Sequence, residues 1–360
     1  MLIQKFTTLF KDVTRQGTKI PKEEYLTHGK NIIIDQGQDI IAGYTNCEDG
    51  IFKKIPAIVF GDHTRIIKYV DTPFFLGADG VKVLKCTDKN ANYRYLYYAL
   101  KNAHIPNTGY NRHFKWLKEI TINYPDKNKQ NDIVNILDKL EYIIKIRSQE
   151  LDKFDELIKA RFVEMFGDPV QNSLNKPMVK LESLGDWKSG GTPARSNPNF
   201  YDGNINWFSA GELDSLYLSK SKEKITEEAV RKSSTKLFAK GSMLIGMYDT
   251  AAFKMGILKE PSCANQACAN IRANEKINVI WLYYELQAMK KYFLNQRHGV
   301  RQKNLTLKMI KQFEIPYFDL SLQNEFSNFV QQVDKSKVAV QKSLDETQTL
   351  FDSLMQKYFR

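Results

Sequence analysis

Cysteine is scarce in this sequence, and long apolar runs are missing. Only 4 cysteines occur in 360 residues, too few for the disulfide framework of a small secreted protein. No stretch approaches the roughly 20 consecutive apolar residues that a membrane-spanning helix needs. The stretch 1–16 also lacks the apolar core and small-residue cleavage site of a secretory signal. We therefore expect a reduced, cytoplasmic protein with no membrane association.

Motifs for catalysis and for metal or cofactor binding are missing as well. The sequence has neither a Gly-x4-Gly-Lys-Ser/Thr phosphate loop nor a Gly-x-Gly-x-x-Gly turn after a strand. The 5 histidines are scattered, and Cys263 and Cys268 have no second close cysteine pair and no nearby histidine. The sequence thus predicts a protein without catalytic residues, metal or cofactor.

One short stretch imitates a catalytic motif. Residues 197–200 read NPNF, similar to the Asn-Pro-Pro-aromatic motif with which amino-methyltransferases hold a flipped base. The second proline is missing, and no glycine-rich loop for S-adenosylmethionine lies upstream. We therefore expect a surface loop, and an autonomous methyltransferase is disfavoured.

Positive charge is abundant but unevenly distributed. The net charge is +12, yet residues 126–168 carry 8 Lys or Arg against 10 Asp or Glu, and residues 319–360 carry 5 against 6. The remaining parts of the chain therefore hold the whole basic surplus. A basic surplus confined to part of a chain is typical of a polyanion-binding surface.

The sequence also repeats itself. FDELIKARF (154–162) resembles FDSLMQKYF (351–359), QNDIVNIL (130–137) resembles QNEFSNFV (323–330), and YLYYAL (95–100) resembles WLYYEL (281–286). These matches occur in the same order, as do Gly17-Thr18 and Gly191-Thr192. Because the period is far longer than that of a solenoid repeat, the pattern indicates a duplicated domain.

Two acidic segments have apolar residues at alternating spacings of three and four, which predicts long helices that pair as a coiled coil. A globular segment lies between them, so the pairing should be antiparallel. We expect globular segments at 1–125 and 179–316, helical segments at 126–168 and 317–360, and a linker at 169–178. The predicted helix seam includes eight residues: Leu140, Ile144, Leu151, Phe154, Val333, Val340, Leu344 and Phe351.

The globular segments should be α+β. Short β-rich stretches occur at 31–35, 56–61, 80–86 and 242–247, and helical patterns follow near 92–104 and 277–293. The predicted fold class is therefore α+β, with two similar globular domains joined by two long antiparallel helices.

Both globular segments contain stretches in which basic residues alternate with amides and aromatics, for example GYNRHFKW (109–116) and WKSGGTPARSN (187–197). Arginine, asparagine and glutamine match the hydrogen-bonding edges of guanine and adenine, and lysine suits phosphate. The predicted DNA-binding residues are Arg15, Lys19, His63, Arg65, Asn111, Arg112, His113, Lys115, Lys188, Ser189, Thr192, Arg195, Asn197, Tyr248, Arg297, Arg301, Gln302 and Lys303.

The run LGDWKSGGTPARSNPNFYDGNINWFSAGEL (184–213) resembles the opening of a target recognition domain of type I restriction-modification specificity subunits. ARFVEMFGDP (160–169) and EIPYFDLSLQNEFSNFVQQVD (314–334) resemble the end and the start of that family's conserved helices. The first globular segment departs from the pattern, since it has RQGTKIP (15–21) where the second has KSGGTP.

The resemblance implies a non-catalytic subunit in which two target recognition domains each read one half of a split, asymmetric site in double-stranded DNA. The helices would act as a spacer, and two modification (methyltransferase) subunits and restriction (endonuclease/translocase) subunits would be the protein partners. Two alternatives stay open. One is the recognition subunit of a related system whose partner fuses methylase and nuclease, and the other is a non-catalytic coiled-coil adaptor.

Overall fold

The computed structural model describes residues 2–77, 79–109, 111–296 and 304–359. The chain forms two compact units. Unit 1 comprises Met1–Glu150 and Val340–Arg360, and unit 2 comprises Leu151–Ala339. Each unit combines sheets with helices, as the predicted α+β class requires.

Unit 1 has three small sheets among its described residues. Their strands are β1 (Leu2–Lys5), β2 (Phe10–Asp12), β3 (Asn31–Ile34), β4 (Gly43–Thr45), β5 (Ala57–Gly61), β6 (Ile67–Val70), β7 (Phe74–Leu76), β8 (Val81–Cys86) and β9 (Thr121–Tyr124). The sheets have the strand orders β2-β8-β5-β6, β4-β3-β7 and β1-β9. Only the β3–β7 pair is parallel within these three sheets.

Unit 2 repeats this topology. Its strands are β10 (Met178–Lys180), β11 (Gly185–Ser189), β12 (Tyr201–Phe208), β13 (Tyr217–Leu218), β14 (Glu223–Ile225), β15 (Met243–Gly246), β16 (Met255–Leu258), β17 (Cys263–Ala264), β18 (Cys268–Ala273) and β19 (Glu314–Pro316). The sheets have the orders β11-β18-β15-β16-β13, β14-β12-β17 and β10-β19. Strand for strand these match the orders in unit 1, and β13 is an addition at one edge. The duplication predicted from sequence is therefore a duplication of topology.

The described residues form eight α-helices. Their bounds are α1 (Phe6–Leu9), α2 (Tyr93–Lys101), α3 (Phe114–Leu117), α4 (Lys127–Phe166), α5 (Glu227–Lys232), α6 (Val279–Asn295), α7 (Leu307–Gln312) and α8 (Leu320–Phe359). The two long helices, α4 and α8, have 40 residues each. Neither contains glycine or proline in its interior, which allows helices of this length.

The long helices run antiparallel within unit 2. Arg161 contacts Glu325 at 2.9 Å, and Lys337, further along α8, contacts Asp155, further back on α4, at 2.7 Å. Phe162 also packs edge-on against Phe326, with ring centroids 5.4 Å apart. In unit 1, both helices supply side chains to one apolar core, which also contains α2.

The N-terminus of α2 is held by the first turns of α4. The side chain of Asn92 caps α2 by accepting hydrogen bonds from the backbone N–H groups of Arg94 and Tyr95. The backbone N–H of Asn92 donates to Gln130 Oε1 at 3.0 Å, and its side-chain amide donates to Asn131 Oδ1 at 2.9 Å. We call these contacts of Gln130 and Asn131 with Asn92 the first Gln–Asn clamp.

The same arrangement recurs in unit 2. Asn278 caps α6, its backbone N–H donates to Gln323 Oε1 at 2.8 Å, and its side-chain amide donates to Asn324 Oδ1 at 2.8 Å. These contacts of Gln323 and Asn324 with Asn278 form the second Gln–Asn clamp. The repeated Gln-Asn sequence is thus explained by a repeated contact.

One buried carboxyl distinguishes the core of unit 2. Glu285 on α6 is 0% exposed, and neither of its carboxylate oxygens has a hydrogen-bond partner among the described residues. Burial raises the pKa of Glu285 to about 8 because a charged carboxylate is poorly solvated in an apolar core. The equivalent position in unit 1 is Ala99, so unit 1 lacks this group.

No helix in the described part of the chain is long and apolar enough to cross a membrane.

Candidate nucleic-acid interface

In unit 1, the turn after β5 lies against the loop before α3. Asp62 is buried, and its carboxylate accepts a hydrogen bond from the N–H of Phe114 at 2.7 Å. Its carbonyl accepts one from the N–H of His113 at 2.8 Å, and its own N–H donates to Gly80 at 2.6 Å. A single aspartate therefore brings together two stretches that are distant in sequence and both carry basic residues, GDHTRIIKY (61–69) and GYNRHFKW (109–116).

His113 lies beneath this loop rather than on its surface. The residue is 0% exposed, its Nδ1 lies 3.0 Å from the carbonyl of Asp62, and its Nε2 lies 3.4 Å from Thr108 Oγ1. An imidazole that is fully buried cannot touch DNA without leaving this position, so we treat His113 as a positioning residue. Three other predicted residues of this stretch are exposed: Asn111 and Arg112 in the loop, and Lys115 on α3.

His63 and Arg65 are half-buried on the turn between β5 and β6. The backbone N–H of His63 donates to Gln36 Oε1 at 3.2 Å. Arg65 has a positive φ of 64°, and its guanidinium donates to the carbonyl of Ile105 at 3.3 Å. Because Arg65 is tied to Ile105, part of its hydrogen-bonding capacity is used within unit 1.

Lys19 and Arg112 are distant in sequence and act on the same carboxylate. Lys19 Nζ lies 2.7 Å from Asp79 Oδ1. The hydrogen bond and charge of Lys19, followed by the more distant charge of Arg112, hold the pKa of Asp79 below its usual range. Arg15 is exposed on the short turn Thr14–Gln16. Lys19 and Arg112 thus both act on Asp79, and Arg15 precedes Lys19 by four residues in the sequence.

In unit 2, the glycine-rich loop after β11 passes directly over neighbouring backbone. The N–H groups of Gly190 and Gly191 donate to the carbonyls of Cys268 and Ala264, each at 2.9 Å. A Cβ atom at Gly191 would lie 2.5 Å from the carbonyl oxygen of Ser234. Glycine is therefore required here by close backbone packing.

Side-chain hydrogen bonds then fix the rest of this loop. Trp207 Nε1 donates to the carbonyl of Gly191 at 3.0 Å, and the Tyr201 hydroxyl donates to the carbonyl of Pro193 at 2.8 Å. Thr192 Oγ1 bonds to Gln266 Oε1. These three contacts give the loop one defined conformation, which is the preorganisation that a recognition surface needs.

Arg195 is exposed at the surface of unit 2, where it forms a bidentate ion pair. Its two terminal nitrogens lie 2.6 Å and 2.7 Å from the carboxylate oxygens of Glu223. Its guanidinium also lies over the rings of Tyr201 and Trp207, at 4.7 Å and 5.1 Å from their centroids. The fork that could read a guanine is already occupied, so we treat Arg195, like His113, as a positioning residue.

The other predicted residues of this loop differ in exposure. Lys188 is exposed on β11, whereas Ser189 is half-buried. Asn197 is half-buried, and its side chain caps a short turn by accepting a hydrogen bond from the N–H of Asn199 at 3.1 Å. Lys188 and Arg195 are both exposed, but no described ion pair engages Lys188.

Tyr248 occupies the hairpin position in unit 2 that His63 occupies in unit 1. It directly follows Met247, whose carbonyl accepts a hydrogen bond from the N–H of Leu305 at 2.8 Å, as Asp62 accepts from His113. Tyr248 is 41% exposed, so its ring and hydroxyl are available. Four further predicted residues lie outside the described residues: Arg297, Arg301, Gln302 and Lys303.

The hairpins β5–β6 in unit 1 and β15–β16 in unit 2 are closed by the same pair of backbone hydrogen bonds, which we call the hairpin frame. In unit 1, Gly61 donates to Ile66 and accepts from Arg65; in unit 2, Gly246 donates to Lys254 and accepts from Phe253. Arg65 and Phe253 both have positive φ, 64° and 55°. Between the donor glycine and its acceptor there are four residues in unit 1 and seven in unit 2. The segments that these bonds enclose, which we call the hairpin tips, therefore differ in length, although the bonds that close them are the same.

The predicted helix seam lies on the less exposed side of both long helices. Val333 and Phe351 are buried, and the other six seam residues are half-buried. Leu140, Ile144 and Phe351 belong to the core of unit 1, while Phe154 and Val333 belong to that of unit 2. The remaining three are Leu151, Val340 and Leu344.

The sequence interpretation did not assign roles to several side chains that shape these surfaces. Asp62, Asp79 and Glu223 each hold a predicted residue or its loop, and each pairs over at least 28 residues of sequence. The Gln–Asn clamps had a signal in the sequence, namely the repeated Gln-Asn pair, but their partners Asn92 and Asn278 lie outside the matched stretches. Among the described residues, no group of three or more His, Cys, Asp or Glu side chains could hold a metal ion.

Two α+β units of the same topology, each with basic loops gathered on a rigid frame and a share of two long helices, are typical of duplicated DNA-specificity proteins. A family model described as the type I restriction modification DNA specificity domain matches residues 8–154 and 175–347. The chain belongs to this family. It is accordingly a non-catalytic, DNA-binding specificity subunit of a type I restriction-modification system.

Individual relatives agree with this assignment. The chain is 28% identical over 325 residues to the EcoR124I/EcoR124II specificity subunit of Escherichia coli, covering 84% of this chain and 78% of that one. It is 28% identical over 143 residues to the MjaIX specificity subunit of Methanocaldococcus jannaschii, covering 38% of this chain and 33% of that one.

Solved structures show the same fold. The S subunit of a type I system from M. genitalium aligns with a TM-score of 0.67 at 19% identity, over 100% of this chain and 96% of that one. A chain from a structure of type I system assembly and conformational transition aligns with a TM-score of 0.58 at 15% identity, over 100% of this chain and 97% of that one.

Proposed function

We propose that the chain reads one bipartite, asymmetric site in duplex DNA, with each unit reading one half-site. The observation that carries this proposal is the shared hairpin frame with different tips: His63 in unit 1 stands where Tyr248 stands in unit 2. Because different side chains occupy equivalent positions in the two units, the two half-sites should differ in sequence. In this proposal, residues 1–125 and 179–316 are the recognition domains, and 126–168 and 317–360 are the helical spacers joined through the linker 169–178.

The exposed residues of the loops are the ones we propose to contact DNA. Arg112 and Lys115 in unit 1 and Lys188 and Tyr248 in unit 2 are accessible and carry groups that bond to bases or phosphates. Lys19 can exchange Asp79 for a phosphate, because its exposed ion pair rests on a single contact, whereas Arg195 is held by two hydrogen bonds to Glu223. His113 and Arg195 hold the loops in place.

The long helices offer the surface on which we propose that two modification subunits dock, with restriction subunits completing the complex. Large apolar side chains are exposed on both helices, which is unusual for a surface in contact with water only. In unit 1 they are Ile136, Tyr142, Ile143, Ile146 and Leu350, and in unit 2 they are Leu157, Val163 and Val338. The helices carry no basic surplus, so they are better suited to a protein partner than to DNA. We place this assembly in the cytoplasm.

The chain's role is tested by methylation with and without its partners. The pure chain with S-adenosylmethionine should transfer no methyl group. Addition of the modification subunits should give adenine methylation at one bipartite sequence, mapped across a genome or a random DNA library. Methylation by the chain alone, or methylation without a bipartite motif, would contradict the proposal. If the chain binds no duplex DNA in filter binding, with or without partners, the coiled-coil adaptor is favoured instead.

The reading residues are tested by matched substitutions. Arg112→Ala should weaken cognate binding by about 1–3 kcal/mol if Arg112 contacts a base pair directly, and should change preference in one half-site only. Lys139→Ala is the control, since it removes an equal charge from the exposed surface of α4. Equal losses for both variants would show that net charge, and not a specific contact, accounts for the effect.

A further inference from the structure

Among the described polar contacts between the domain helices and the long helices, one set occurs in unit 1 alone and another recurs in both units. In unit 1, Arg94 on α2 forms ion pairs with Asp138 and Glu141 on α4, at 2.6 Å and 3.0 Å. The repeat puts Ile280 at the position of Arg94 and Gln331 at that of Asp138, so unit 2 cannot form the same pairs. The Gln–Asn clamp, in contrast, has the same donors and acceptors in both units.

The clamp also connects three parts of each unit at one point. In unit 1, Gln130 accepts from the N–H of Asn92 and donates from Nε2 to the carbonyl of Pro125 at 2.9 Å. In unit 2, Gln323 accepts from the N–H of Asn278 and donates to the carbonyl of Phe318 at 2.7 Å. Each glutamine thus joins the capped end of the domain helix to the segment entering the long helix.

These hydrogen bonds are directional, and the glutamines that make them are buried. Gln130 is 2% exposed and Gln323 is 0% exposed. A buried amide that is rotated out of its hydrogen bonds loses them without gaining water in exchange. Apolar contacts around the same helices tolerate small rotations, whereas the clamp favours one orientation of the domain helix.

We propose that the Gln–Asn clamps set the angle at which each recognition domain is held on the long helices, and thereby the strictness with which the complex measures the distance between half-sites. The four clamp residues Gln130, Asn131, Gln323 and Asn324 are positioning residues and touch neither base nor phosphate. This inference rests on the proposed function, because a spacing can be measured only if both units read DNA together.

The test uses the complex of the full chain with its modification subunits and a set of DNA duplexes. Each duplex carries both half-sites, separated by the native spacer or by one or two base pairs more or fewer. The variants are Asn131→Ala, Asn324→Ala and the two together. Their matched controls are Asn135→Ala and Asn328→Ala, which lie four residues further along the same helices at exposed positions.

We expect the unaltered complex and the controls to methylate the native spacing almost exclusively. Each clamp variant should raise the rate on spacers one base pair too long or too short, relative to the native spacer, by about fivefold, as expected for the loss of one hydrogen bond. The double variant should raise it further. The base preferences within each half-site should stay unchanged.

Three results separate the possible failures. Unchanged spacer preference in the double variant, with or without a lower melting temperature, would show that the clamps only stabilise the fold and would overturn this inference. Altered half-site bases would show that the clamps act on base reading instead, which also overturns it. Absence of any bipartite methylation by the unaltered complex would overturn the proposed function itself. Because Asn131→Ala removes one partly buried contact and leaves the Asn92 cap intact, the variant should fold.

Discussion

The length of the long helices should determine the spacing between half-sites and leave the half-sites themselves unchanged. To test this, one heptad is added to each helix at facing positions in unit 1. Asp138 and Phe351 both contact Tyr98, at 2.6 Å from its hydroxyl and 6.2 Å from its ring centroid. Positions just beyond them, after Leu140 on α4 and after Thr347 on α8, therefore lie approximately opposite one another.

The expected shift follows from helix geometry. A second copy of residues 134–140 after Leu140, and of 341–347 after Thr347, keeps the phase of the seam. Seven residues lengthen each helix by about 10 Å, which corresponds to about three base pairs of B-DNA. Three base pairs also rotate one half-site by about 100° around the DNA axis, so some loss of activity is expected with the shift.

The assay is a methylation map of the insertion variant, supported by duplexes whose spacers are one to five base pairs longer than the native one. Maximum methylation should move to the spacer that is about three base pairs longer. A variant that remains fully active on the native spacer would show that the helices do not set the distance. A four-residue insertion at the same positions is the control, because it breaks the seam and should give no active complex at any spacing.

Three further predictions concern the stability of unit 2 and of the helices. Glu285→Gln should raise the melting temperature at pH 8 but hardly at pH 5. A carboxyl with a raised pKa loses its stabilising contribution as pH rises from about 4.5 to about 8, and the loss is at most about 5 kcal/mol in total. Equal effects at both pH values would contradict this. Gly191→Ala should lower the free energy of unfolding by about 1–3 kcal/mol, since its Cβ would meet the carbonyl of Ser234. The control Gly211→Ala should change the free energy of unfolding little, because no atom lies within 4 Å of a Cβ at that position. Chemical denaturation measures both effects. Leu344→Asp should reduce thermal stability or assembly with modification subunits, because it places a charge in a partly buried seam. Calorimetry measures the first effect and gel filtration the second. Wild-type behaviour in both assays would show that this part of the seam is not packed.

The sequence predicted the features of the fold that depend on local pattern. The heptad spacing located both 40-residue helices, and the short β-rich stretches became strands, because each of these signals is contained within a few consecutive residues. The order of strands in the sheets could not be predicted in this way. It depends on pairings such as β3 with β7, which join residues some 40 positions apart and leave no local signal.

The prediction of the candidate interface rests on the same kind of local signal. Basic residues in loops are visible in a sequence, but their accessibility is not. The sequence gives no sign that His113 is buried against Asp62, or that Glu223, 28 residues away, occupies both terminal nitrogens of Arg195. Each of these two residues has the side-chain chemistry of a DNA contact, and only the structure shows the contacts that engage it within its own unit.

The hairpin frame common to both units has a consequence for how the protein can acquire a new target. Gly61 and Gly246 close their hairpins with the same pair of backbone hydrogen bonds, although the enclosed tips contain four and seven residues. These backbone bonds do not use side chains, so exchange of the accessible tip residues leaves the closure intact, whereas the buried Asp62, Met247 and Phe253 must be kept. Under the proposed function, the accessible tip positions, such as His63 and Tyr248, are the natural places for a library of altered sequence preferences.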